Sequence, residues 1–75
     1  MTATLYKNDK PIKTYSDITR VEANEKYGYF EFYQKIYHHT IIFIRSFRDV
    51  DKVITKSKDD HGTVITKEIK PYATH

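Results

Sequence analysis

The chain has 75 residues, 13 Lys or Arg against 10 Asp or Glu, and no cysteine. A domain this short hides only about 60% of the surface its unfolded form exposes, and without cysteine neither disulfides nor thiolate metal sites can supplement the core. The net charge of +3 is spread along the chain: Lys7, Lys10 and Lys13 are interleaved with Asp9 and Asp17, and Arg45 and Arg48 neighbour Asp49 and Asp51. This excludes the like-charge block that marks a nucleic-acid or lipid-binding tail.

The opening MTATLYKNDK has no apolar run of the signal-peptide kind. No later segment approaches the roughly 18 apolar residues of a membrane span. The expectation is one small cytoplasmic domain over residues 1–75 with no membrane contact. Tyr, Ile, Lys, Phe and Thr dominate, and Leu5 is the only leucine. Such usage fits an AT-rich bacterium or its phages. It also favours strands, because β-branched and aromatic side chains suit a pleated, half-buried surface.

Taken in order, "ATLYKNDKPIKTY" predicts a hairpin with Asn8-Asp9 at its tip, since both residue types tolerate left-handed backbone. That tip sets Leu5 opposite Ile12. Pro11 has no amide donor, so its strand belongs at a sheet edge. Ser16-Asp17 breaks the run, "ITRVEA" resumes it with Ile18 and Val21 as apolar anchors, and Asn24 to Lys26 signals the next turn.

The central hairpin reads as Tyr27–Gln34 and Thr40–Arg45 around a loop near Lys35–His39. Strand alternation places Phe30 and Phe32 on one face, with Tyr27, Tyr29, Glu31 and Tyr33 on the other. A five-residue loop stacks Phe32 on Ile42 and Phe30 on Ile44; a four-residue loop uses Ile41 and Phe43 instead. Either register leaves apolar residues on both faces.

Beyond Arg45 there are two readings. Ser46 can cap a helix over 46–57 with Phe47, Val50 and Ile54 on one stripe, which would make the fold α+β. The alternative, preferred here, is a hairpin from about Val53 around "DDHG", with at most one helical turn at 47–51. The string VITK recurs at 53–56 and 64–67, as two similar strands would require. "PYATH" at the end has no pattern and is expected to fray. The fold expected is therefore mainly β: a small antiparallel barrel or sandwich of six to seven short strands.

Chemistry-bearing patterns are few. Gly28 and Gly62 are the only glycines, which excludes a phosphate-cradling loop. His38 and His39 are adjacent and in a strand would face opposite ways, while His61 and His75 stand apart, so no metal site and no cofactor are expected. Glu31 is the one carboxylate set among aromatic residues, and no partner base or nucleophile accompanies it; its plain role is pairing with Arg45 or a lysine across the hairpin. An enzyme is not expected, nor a small-molecule substrate.

"YGYFEF" resembles part of the aromatic strand of RNA-recognition motifs, where aromatic side chains stack bases. Tyr27, Gly28 and Phe32 match it, whereas Glu25-Lys26 stand where a basic-Gly pair belongs. The chain lacks the two helices of a βαββαβ fold, so that family is not supported. An OB-like or cold-shock-like barrel needs fewer helices and would offer a stacking groove of Tyr27, Tyr29, Tyr33, Lys35 and Arg45, with Glu31 repelling phosphate from its middle. The leading expectation is instead a non-enzymatic protein-binding module, either a homodimer or an inhibitor or adaptor of a larger protein. Size and composition suit a phage or mobile-element accessory protein. Its binding residues would be Tyr27, Tyr29, Tyr33, Ile41, Phe43 and Arg45, with Glu31 as a polar specificity contact.

Overall fold

A computed structural model describes residues 1–72. Seven strands follow one another: β1 (Thr2–Lys7), β2 (Lys10–Tyr15), β3 (Ile18–Asn24), β4 (Tyr29–Ile36), β5 (His39–Ser46), β6 (Lys52–Lys58) and β7 (Val64–Ile69). They form two antiparallel sheets, one in the order β2-β1-β6-β7 and one in the order β3-β4-β5. The result is a mainly β, sandwich-like molecule, with no helix among the described residues. The first and last hairpins share one sheet through β1 and β6, and the central meander packs over it.

The N-terminal hairpin turns where the sequence places it. Asn8 and Asp9 adopt φ of 53° and 61°, the left-handed geometry of a two-residue hairpin turn. Pro11 sits in β2, an edge strand. The pairing of Leu5 with Ile12 is corrected: a β-bulge shifts the register, so Leu5 faces Lys13 and Tyr6 faces Pro11. Ile12 becomes the extra residue and stays exposed. The bulge brings Tyr15 level with Ala3 and so onto the inner side.

In the meander, β4 and β5 are joined by Tyr37 and His38 alone, because Ile36 already pairs with His39. Tyr37 takes φ of 56° to close this tight turn. The loop expected over Lys35–His39 is therefore shorter, and its flanks belong to the strands. The register differs from both expectations: Phe32 faces Phe43, and Phe30 faces Arg45. The face is the one a four-residue loop would choose, but the partners are displaced by two residues.

No helix forms over 46–57. The Ser46 carbonyl accepts from the amides of Asp49 and Val50, and its Oγ accepts from the amide of Arg48. This closes one turn, and β6 follows directly. Val53 and Thr55 are buried in alternation, so the strand period overrides the helical stripe through Val50 and Ile54. At the last hairpin, Asp59 Oδ1 accepts from the amides of His61 and Thr63, and Gly62 takes φ of 80°.

The core lies between the sheets. Ala3, Leu5, Val50 and Val53 meet Ile18, Phe30 and Phe32, all buried, with Tyr15, Val21, Ala23, Phe43, Phe47 and Ile69 packed around them. Phe32 stacks on Phe43 at 5.0 Å between centroids, and Tyr15 reaches across from the other sheet to Phe43 at 4.8 Å. Each large side chain so hidden contributes about 1.5–3 kcal/mol. The Tyr72 ring docks edge-on against Phe47 at 5.4 Å, so the expected fraying does not hold there. Residues 73–75, His75 among them, lie outside the described residues.

Candidate protein-binding face

The register of the meander assembles its outer face row by row. Asn24, Tyr29 and Ser46 form one row, Glu22, Glu31 and Ile44 the next, and Arg20, Tyr33 and Ile42 a third. Alternation turns Phe30 and Phe32 inward and these residues outward. Tyr29, Glu31 and Tyr33 are half-buried by their neighbours, while Ile42 and Ile44 are 59% and 50% exposed. The apolar stripe on β5 thus lies beside a polar-aromatic network on β3 and β4.

That network is internally satisfied. Asn24 Nδ2 donates to one oxygen of Glu31, and the Tyr33 hydroxyl donates to the other, each at 3.2 Å. The guanidinium of Arg20 lies 4.1 Å from the Tyr33 ring centroid and pairs with Glu22 at 3.4 Å. A hydrogen bond with Tyr33 raises the pKa of Arg20 above its ordinary value, with Glu22 adding to the effect. Glu22 and Glu31 stand directly opposite each other, an arrangement that is destabilising on its own. Arg20 and the two donors to Glu31 offset it. At the end of the face Tyr27 stacks on Tyr29 at 6.3 Å, with the Lys26 ammonium 5.3 Å from the Tyr27 ring centroid.

The seven residues singled out from sequence do not share this surface. Tyr27, Tyr29, Glu31 and Tyr33 lie on it together, but Ile41, Phe43 and Arg45 turn to the other side of β5. Phe43 is held between Phe32 and Tyr15. Arg45 closes the rim above it: Nη2 donates to the Tyr15 hydroxyl at 2.7 Å and Nη1 to the Ile44 carbonyl at 2.8 Å. Ile41 sits at the same rim, 43% exposed. Glu31 therefore does not pair with Arg45, since they occupy opposite faces. Ile42, Ile44 and Arg20 belong to the surface and were missed: only the β4–β5 register says which phase of the continuous apolar run looks outward, and only the β3–β4 register sets Arg20 beside Tyr33.

Reactive groupings are sparse. Among the described residues no three His, Cys, Asp or Glu converge as metal ligands do. An open depression of about 500 Å³ at one end of the sandwich is lined by Met1, Thr2, Ser16, Asp17, Lys56–Lys58 and Val64. Its charged side chains are exposed, without the convergent geometry of acid–base chemistry. Among the described residues no helix is long and apolar enough to cross a membrane. No family model, no curated protein and no solved structure matches the chain, so the functional reading rests on this geometry.

Proposed function

We propose that this chain is a non-enzymatic binding module of the cytoplasm that docks another protein surface on the outer face of β3–β4–β5. The observation that carries this reading is the exposure of Ile42 and Ile44 beside half-buried Tyr29 and Tyr33, on a face that the sandwich leaves outside its core. Full burial of each isoleucine is worth about 1.5–3 kcal/mol. Tyrosine and arginine around such a stripe are the residue types that dominate binding energy at interfaces. The two carboxylates at the centre of the face, Glu22 and Glu31, disfavour a phosphate backbone.

The test is association measured with the purified chain and two variants. Ile42→Asp and Tyr33→Ala should each weaken self-association or capture of a defined protein at least tenfold while the circular dichroism spectrum is retained. Salt-dependent binding of single-stranded oligonucleotides, abolished by Tyr29→Ala, would replace this reading with the nucleic-acid one. A chain that binds neither itself, nor protein, nor oligonucleotide would remove both.

A further inference from the structure

The sandwich has four edges, and three of them are guarded. β2 carries Pro11 with Lys10 and Lys13, β3 carries a bulge with Arg20 and Glu22, and β7 carries Lys67 and Glu68. Charges, proline and bulges are the devices by which sheets avoid pairing with other chains. β5 has none of them from Thr40 to Ile44. This stretch, Thr-Ile-Ile-Phe-Ile, is uncharged and paired on one side only.

The hydrogen-bonding parity of that edge can be read from one contact. The Phe47 amide donates to the Gly28 carbonyl at 2.9 Å. Hydrogen-bonded pairs alternate along an antiparallel ladder, so Arg45, Phe43, Ile41 and His39 bond to β4. The N–H and C=O groups of Thr40, Ile42 and Ile44 therefore point away from the sheet. Ile42 and Ile44 thus combine unpaired backbone with exposed side chains on the outer face. The bond from Arg45 Nη1 to the Ile44 carbonyl agrees with this parity. A carbonyl has two lone pairs, so it can still accept another N–H.

We propose, building on the protein-binding reading above, that the partner is a second copy of this chain, joined antiparallel along β5 about a two-fold axis at Ile42. In that register Ile42 pairs with Ile42 of the other copy, and Thr40 pairs with Ile44 in both directions. Every outward donor of the three residues then finds an outward acceptor. A register centred on Phe43 would need the Ser46 carbonyl to serve Thr40, but that carbonyl already closes the turn to Asp49 and Val50. The chosen register also sets the rim residue Ile41 against Phe43 of the other copy and opposes Arg45 to His39 rather than to a second arginine. The two three-stranded sheets run on into one of six, and their isoleucine stripes merge. An interface of this modest size holds with a Kd on the order of 10–100 μM.

Sedimentation from about 10 μM to 1 mM, a concentration span bracketing that Kd, should show a monomer–dimer equilibrium. Mixed labelled and unlabelled protein should give an intermolecular Hα–Hα contact between Ile41 and Phe43, the close pair of a non-hydrogen-bonded position. Ile42→Pro removes an outward N–H, which an edge strand tolerates, together with the exposed isoleucine side chain; it should abolish the dimer and keep the fold. Thr40→Lys serves the same purpose should the proline variant unfold. A monomer throughout the concentration range overturns the self-pairing but leaves the docking face to another protein. A dimer that lacks the Ile41–Phe43 contact and is indifferent to Thr40→Lys, yet is lost on Ile42→Asp, overturns the edge geometry while sustaining the face.

Discussion

The two sheets show the solvent very different outer faces, although both are built from β-branched and aromatic residues. On the four-stranded sheet the outward positions include Thr2, Thr4, Thr14 and Thr66 with Lys52 and Lys56. Thr4 and Thr14 share a hydrogen bond at 3.1 Å. Lys52 lies over the Tyr6 ring at 5.3 Å and within 3.8 Å of Asp9 and 3.7 Å of Glu68. Threonine keeps the strand preference of isoleucine while giving water a hydroxyl, so most of that face meets water with polar groups, although Ile54 and the exposed Val64 also lie on it. On the three-stranded sheet the corresponding positions on β5 are isoleucines. That apolar stripe is what the proposed docking rests on.

The largest effect should come from removing what the two sheets share. Phe32→Ala takes a fully buried ring from between Tyr15 and Phe43 and should cost about 3–5 kcal/mol. Against the modest stability of a domain this size, a urea or thermal melt should show loss of cooperative folding, and both outer faces would go with it. Next comes the contrast itself. Ile42→Asp should abolish association with little change in melting temperature, whereas Thr4→Ala on the other face should leave association unchanged and stability within about 0.5 kcal/mol. Equal effects on association from the two variants would erase the distinction between the faces.

Asp51 offers a smaller, pH-dependent test of how the meander is tied to the four-stranded sheet. Its carboxylate accepts from the Asn8 amide at 2.7 Å and from Lys7 Nζ at 3.2 Å, and these contacts, the backbone one first, hold its pKa below the ordinary value of 3.8. A depressed folded-state pKa means that the unfolded chain binds the proton more readily. The stabilisation is therefore present above pH ~4 and is lost as the pH falls through the folded-state value. Asp51→Asn should lower stability slightly at neutral pH and flatten the acid limb of a stability–pH profile, so that variant and parent converge at low pH. The smallest effect concerns Glu31→Gln, which relieves the opposition of Glu22 and Glu31 and should be neutral to stabilising by a few tenths of a kcal/mol, measured by denaturant midpoint.

Much of the strand content was legible because alternation is local. Phe30 and Phe32 against Tyr29, Glu31 and Tyr33, the edge position of Pro11 and the tip at Asn8-Asp9 all follow from residue types a few places apart. The candidate face was only half legible. Its β4 residues came from alternation within one strand, but its β5 residues required the register across the hairpin, and a two-residue turn replaced the longer loop. A turn of even length places Ile42 and Ile44 on the face and takes Ile41, Phe43 and Arg45 off it, whereas the five-residue loop would have done the reverse.

The repeated VITK shows where local information ends. In β6, Val53 is wholly buried; in β7, Val64 pairs with Lys58 and is 53% exposed. Identical tetrapeptides thus point opposite ways, because the Asp59–Thr63 turn, not the residues themselves, sets the phase of the second strand. The sequence by itself determined which segments are strands and where they reverse, since propensity and turn chemistry act over a few residues. Tertiary structure alone decided the β1–β6 pairing, the bulge at Ile12 and the outward phase of β5, because a period of two fixes alternation but leaves open which side meets the core.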